Sequence, residues 1–154
     1  MLASSVTDLA LAELASPADP SLGARYAFPI SAATGSAATA VVYFEVAPGK
    51  RLGRHTDSSE EILYVVDGDG EATVGEERVS IAAGSLAVVP ALVPHDIRNT
   101  GSVPLKLVGF FAGSALMHAF LEPLLPGAEV TIVVHDREGE SLIAGIPFVP
   151  ATVN

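Results

Sequence analysis

Between residues 38 and 112 the chain alternates short apolar runs with turn-forming clusters. Residues 41–46 are rich in β-branched and aromatic side chains and end at Pro48-Gly49, the signature of a strand followed by a turn. Residues 62–66 form a second run, closed by Asp67-Gly68-Asp69-Gly70. Residues 72–74 and 78–81 flank Gly75-Glu76-Glu77 and predict a hairpin. Residues 86–90, 95–99 and 105–111 complete about seven short strands with turn signals at all-β spacing. No long helical period interrupts them, which excludes a βαβ sheet. The expected product is an antiparallel sandwich or barrel.

The two ends follow other patterns. Residues 1–22, rich in Ala, Ser and Pro, read as an arm or edge strand. In residues 114–122, Leu116, Met117, Phe120 and Leu121 recur at helical spacing, which predicts a short helix ended by Pro123. His118 then lies opposite that stripe, and both His118 and His135 read as surface residues. Residues 130–134 and 143–149 flank a polar turn and predict a C-terminal hairpin. The expected organisation is one domain over 1–154, with a core at 38–112, an N-terminal arm at 1–22 and a C-terminal extension at 113–154.

Composition narrows the function. Hydrophobic residues make up 49% and charged residues 17% of 154, which describes a folded chain with a sizeable core. The formal net charge of −10 argues against binding nucleic acid or an anionic membrane face. The first 24 residues hold no Lys or Arg, so the basic region of a signal peptide is missing and a cytoplasmic location is expected. There is no Cys, so a metal site must use nitrogen and oxygen donors.

The polar block before the second strand, GRHTDSSEEILYVV at residues 53–66, places His55, Asp57, Glu60 and Glu61 beside a run that reads as buried. Spacing organises it: Gly49, His55, Asp57, Glu61 and Gly68, then Gly84, Pro90, His95 and Asn99. These two blocks resemble the paired motifs of the cupin superfamily. Asp57 stands where that family usually has its second His, and Leu92 where the second motif usually has Gly. The resemblance covers residues 38–112 and implies an all-β antiparallel jelly-roll barrel, here with a short C-terminal helical segment. It implies that His55, the residue at 57, Glu61 and His95 hold a divalent metal at one end of the barrel.

The residues agree in part. Alternation puts His55 and Asp57 on one strand face, with Glu61 sharing it if the chain stays extended. His95, Ile97 and Asn99 share a face of their own strand. Two buried carboxylates close together repel and resist ionisation, and a dication between them removes that penalty. Two His and a carboxylate suit Fe(II), and a second carboxylate tilts selection towards Fe(II) or Mn(II), with Zn(II) and Ni(II) less favoured. Asp57 has several roles open to it: ligand, hydrogen-bond acceptor behind the ligands, general base, or solvated bystander. Glu60 is expected to face solvent, Asn99 to bond within its strand, and Arg51 to be solvated, with contact to an anionic substrate as its alternative.

The resemblance implies a small-molecule substrate and a homodimer formed by pairing sheets, which the high apolar content fits. The leading expectation is a metal-dependent oxidoreductase, a dioxygenase with a mononuclear non-haem metal. Its alternatives are a non-oxidative isomerase, lyase or cyclase, and a non-enzymatic small-molecule binder. No segment has the room or pattern for a DNA-binding helix pair.

Overall fold

The computed structural model describes residues 3–145. Thirteen strands form two antiparallel sheets. The first runs in the order β1 (Ala12–Ala15), β2 (Gly23–Ile30), β3 (Ala40–Val46), β10 (Leu105–Phe111), β5 (Glu61–Asp67), β8 (Leu86–Val89). The second runs β13 (Gly139–Gly145), β12 (Val130–Asp136), β11 (Leu116–Phe120), β4 (His55–Asp57), β9 (His95–Asn99), β6 (Asp69–Val74), β7 (Glu77–Ala82). This is the cupin jelly-roll arrangement. The sheets face each other without sharing a strand, so they form two layers and not a closed barrel.

All seven strands expected between residues 38 and 112 are present, within a few residues of their expected ends. Alternation explains the core. Glu61, Leu63 and Val65 of β5 point inward, while Ile62, Tyr64 and Val66 point out. Leu105, Leu107, Gly109 and Phe111 of β10 take the inner face beside them. With Val46, Val89 and Ile97 they make the main apolar cluster. Each fully buried side chain of this size stabilises the fold by roughly 1.5–3 kcal/mol. The β6–β7 hairpin turns at Gly75-Glu76, with Val74 paired to Glu77 and Gly75 at a φ of +59°. A glycine at the first central position suits a two-residue hairpin.

The ends depart from expectation. The helix expected within 114–122 is instead β11. Its inner face is Leu116, His118 and Phe120, a period of two, and Met117 is exposed. Hydrogen bonding to β4 on one side and β12 on the other outweighs the helical spacing of its apolar residues. The N-terminal arm supplies edge strand β1. β2 was not foreseen. Its apolar run is broken by Pro29, and its pairing with β3 slips between Ala27 and Ile30, as a residue without an N–H requires. The C-terminal hairpin is β12–β13, and the part of its second arm expected at 146–149 lies outside the described residues. Among the described residues no helix is long and apolar enough to cross a membrane.

Candidate functional site

The site is built on β4, a three-residue strand between β9 and β11. Alternation turns His55 and Asp57 to the inside. His55 pairs directly with His95 of β9 across one edge and with Phe120 of β11 across the other. Asp57 pairs directly with His118. Opposite residues on neighbouring strands carry their Cβ atoms about 4.5–5.5 Å apart, so sheet register alone gathers three imidazoles and a carboxylate. Glu61 reaches the same space from β5 in the other sheet.

Donor atoms of His55, Asp57 and His95 lie within 4.8 Å of one another. Asp57 Oδ2 is 3.3 Å from His95 Nε2, and Asp57 Oδ1 is 3.7 Å from His55 Nε2. Glu61 Oε2 is 3.9 Å from His95 Nε2, at the margin of this grouping. All four residues are buried. His118 is buried too, with Nδ1 2.5 Å from Asp57 Oδ1. His135 of β12 adjoins it, the ring centroids 5.2 Å apart.

The hydrogen bonds define the tautomers. Nδ1 of His55 lies 2.7 Å from the carbonyl of Gly53, and Nδ1 of His95 lies 3.0 Å from that of Val93. A carbonyl only accepts, so each Nδ1 carries the hydrogen and a neutral ring turns the Nε2 lone pair inward. His118 Nδ1 donates to Asp57, leaving its own Nε2 free. Asp57 Oδ2, His95 Nε2 and His118 Nε2 are buried and have no hydrogen-bond partner. Two lone pairs facing each other across 3.3 Å away from water are unfavourable unless a cation lies between them. The donor set and the orphaned atoms therefore fit a divalent metal, without distinguishing one metal from another.

Charge follows the same geometry. Burial, then the neighbouring His95, lower the His55 pKa to about 3. Burial opposes ionisation of Asp57, but the hydrogen bond from His118 and the neighbouring imidazoles outweigh it and hold the carboxyl far below its usual range. Glu61 goes the other way, pushed well above the usual carboxylate range by burial and then by the charge on Asp57. Burial, then His118, lower His135 to about 4.

Flanking residues have structural tasks. Asn99 donates to the carbonyls of Val46 (2.8 Å) and Val103 (2.7 Å) and accepts from Gly101 N–H, the strand-bound role expected of it. Leu92 sits at a φ of +63°, where its motif has Gly, and its N–H donates to the Asp57 carbonyl at 2.8 Å. Arg51 is not free to meet a substrate. It is bound to Asp19, Asp96 and Glu122 at 2.6–3.1 Å with its side chain 13% exposed, which corrects both the solvated role expected from sequence and its alternative. Glu60 is exposed, as expected.

The cavity before this cluster has about 70 Å³ of room for water centres, where a single water needs roughly 10–15 Å³. Its walls are Phe28, Phe44, Leu52, Phe111, Phe120 and other apolar side chains, and His118 and His135 also line it. Reading His118 and His135 as surface residues was wrong for both. The signal that could have found His118 is its place midway between Leu116 and Phe120, two residues from each.

The sequence model of the Cupin domain family matches residues 42–111, from β3 through β10. The chain belongs to the cupin superfamily. This cupin is 31% identical to Protein SchB of Streptomyces halstedii over 102 residues, covering 66% of this chain and 67% of that protein. It is 39% identical to an uncharacterized protein of Methanocaldococcus jannaschii over 51 residues. That match spans 33% of this chain and 41% of the relative, so the cupin covers less than half of that protein's length. Among solved structures, the polyketide cyclase RemF from Streptomyces resistomycificus superposes with a TM-score of 0.61 at 18% identity, over 72% of this chain and 78% of that one. At that identity the likeness is one of fold.

Proposed function

We propose that this cupin is a metal-dependent enzyme that moves protons on a small organic substrate, in the manner of a cyclase or isomerase. His55, Asp57 and His95 would hold the metal, with Glu61 completing the set. The observation that carries the reading is His118: its Nδ1–H is held by Asp57, while its buried Nε2 lone pair has no partner in a cavity that it lines.

A dication held by these residues would supply Lewis acidity for polarising a substrate carbonyl. His118 Nε2 takes a proton from the carbon beside that carbonyl, and the C–H electron pair moves towards the carbonyl oxygen. Asp57 keeps His118 in the required tautomer and stabilises the imidazolium that forms. The imidazolium returns the proton at a second carbon in an isomerisation. In a cyclisation the enolate carbon forms the ring C–C bond to a second carbonyl carbon, whose C=O π pair moves to its oxygen, and the imidazolium gives that oxygen the proton, leaving an alcohol. Apolar walls keep bulk water from competing. The fold likeness to a polyketide cyclase supports this class by analogy only.

The test is solvent exchange. Enolisable ketones are offered in D2O to metal-loaded protein, and loss of the C–H signal is followed by NMR with and without air. His118→Phe is expected to keep its metal and lose exchange. Turnover that requires O2, or a His118→Phe variant as active as wild type, refutes the reading.

A second reading has its own observation. Two His and one carboxylate, His55, His95 and Asp57, are the donor set of non-haem Fe(II) oxygenases. A dioxygenase consumes O2 on turnover; a proton-transfer enzyme does not. A simple binder would retain ligand without either signal.

We also infer a homodimer formed through the outer face of the first sheet. Leu86, Val88, Ile62, Tyr64, Val66 and Phe110 are all exposed there. They are neighbours through the β8–β5–β10 pairing, and β8 is a free edge. An apolar surface of this kind on a chain of net charge −10 is suited to a second copy that buries it.

A further inference from the structure

We propose that the cavity selects an uncharged, largely apolar molecule that presents one oxygen-bearing edge to His55, Asp57 and His95, and that it rejects carboxylates and phosphate esters. This substrate class rests on the proton-transfer reading above.

The first argument is the distribution of charge. Among the described residues lining the cavity there is no Lys or Arg, whereas Asp57 and Glu61 both line it. A dication held there would be balanced by the carboxylates of Asp57 and Glu61, which would leave no net positive charge for an anion. Arg51, four residues before His55, is committed to three carboxylates.

The second argument comes from the far end of the cavity. A sugar phosphate or dicarboxylate needs a cation there for its second charge. Instead, Tyr26 lines that end and donates its hydroxyl to both oxygens of Glu140, each at 2.8 Å. His135 Nε2 lies 3.7 Å from the same carboxylate. Burial keeps the His135 ring neutral at pH 7. Both ends of the cavity therefore disfavour negative charge.

The third argument is shape. The interior room of about 70 Å³ is roughly half of the 150 Å³ cavity that takes a whole benzene. One edge of a ring fits, and the rest of the ligand lies along the apolar residues towards the mouth. Aromatic faces are ready for it: Phe28 stacks with Phe111 at an interplanar angle of 25°, and Phe120 with His55 at 19°.

A matched pair of probes tests this. 2-Naphthol and 2-naphthoate share a ring system and differ in charge at neutral pH. Their binding to Mn(II)-loaded and metal-free protein is measured by calorimetry, with oxalate and glucose 6-phosphate as competitors. The naphthol is expected to bind at least tenfold tighter than the naphthoate in both preparations, and neither competitor displaces it. Glu140→Gln is expected to narrow the preference for naphthol over naphthoate several-fold. Equal or tighter binding of naphthoate, displacement by glucose 6-phosphate, or no binding of 2-naphthol overturns the proposal. Metal content and ketone exchange, measured on the same preparation, separate the two readings. A metal-loaded, exchanging protein that prefers the anion refutes the substrate class alone. A protein that takes up no metal yet prefers the naphthol refutes only the metal-dependent enzyme.

Discussion

Gly109 gives the sharpest test of how the second sheet and the first cooperate at the site. It lies on the inner face of β10, and the Glu61 carboxylate rests directly above it. A Cβ at 109 would stand 1.9 Å from Glu61 Oε1 and 2.8 Å from Val42 Cγ1. Ordinary contact begins near 3.4 Å, so in Gly109→Ala the carboxylate must retreat by about 1.5 Å. It then leaves its position 3.9 Å from His95 Nε2. If Glu61 completes the metal set, affinity should fall by roughly 10–100-fold, the usual cost of disturbing a supporting residue. The metal-free protein should lose between about 0 and 2.5 kcal/mol of stability. Crowding against Val42 costs about 1–3 kcal/mol, and removing a strand glycine returns roughly 0.5–1 kcal/mol. The assay is Mn(II) and Zn(II) titration of wild type, Gly109→Ala, Glu61→Gln and the double variant, each beside its metal-free melting temperature. Gly109 acts through Glu61 in this account, so the double variant should bind metal no worse than Glu61→Gln alone. Equal losses in both backgrounds, or a Gly109→Ala protein with wild-type affinity, would refute the reasoning.

Three further outcomes are expected. Leu92→Gly should raise the melting temperature by about 2–4 °C, because a left-handed Leu costs roughly 1–2 kcal/mol and Gly gives part of this back as lost chain entropy; calorimetry checks it. His135 is depressed to about 4 in the fold, so it adds stability above pH 6.5 that is lost as pH falls towards 4, by up to about 1.4 kcal/mol per pH unit. The difference in urea-unfolding free energy between wild type and His135→Gln should therefore shift in favour of the variant over that window, and a constant difference would show that His135 does not titrate as described. Ile62→Lys, on the exposed face of β5, is expected to sediment as a monomer in analytical ultracentrifugation and the wild type as the inferred dimer, with metal affinity unchanged; a monomeric wild type would refute the inferred dimer.

Most of the sheet was legible because half-buried strands announce themselves by alternation. Glu61-Ile62-Leu63-Tyr64-Val65 reads in and out without ambiguity once one side is buried. His55, Glu61 and His95 were legible through motif spacing, and Asp57 as the residue standing in the motif's place. What brings them together was not legible. His55 meets His95 across an antiparallel pair separated by forty residues of chain, and no local pattern encodes such a pairing. Gly109 is a single glycine inside an apolar run, and nothing in the run states that a carboxylate from another strand needs its space. β11 was lost for a different reason. Leu116, Met117, Phe120 and Leu121 satisfy a helical period, while Leu116, His118 and Phe120 satisfy a strand period, and only the partners on either side decide between them.

That ambiguity concealed the most informative residue of the site. The motif position at 57 usually carries an imidazole, and here carries a carboxylate. Taken alone the exchange removes a nitrogen donor and adds a charge to a buried cluster, which is costly. The register of β4 and β11 supplies what offsets it, since His118 lies directly opposite and donates to the new carboxylate. The imidazole absent from position 57 thus returns one strand away, no longer among the closest donors but oriented by one of them. An ordinary cupin spacing with His at 57 would use both rings to hold the metal. In the proposed reading the Asp57–His118 pair would divide the work between a metal ligand and a ring whose Nε2 lines the cavity. That division favours acid–base chemistry at the cluster over a purely metal-holding role, and it makes 57 and 118 a coupled pair. Replacing Asp57 with His would strand the His118 Nδ1–H, and replacing His118 would leave Asp57 Oδ1 without its shortest hydrogen bond.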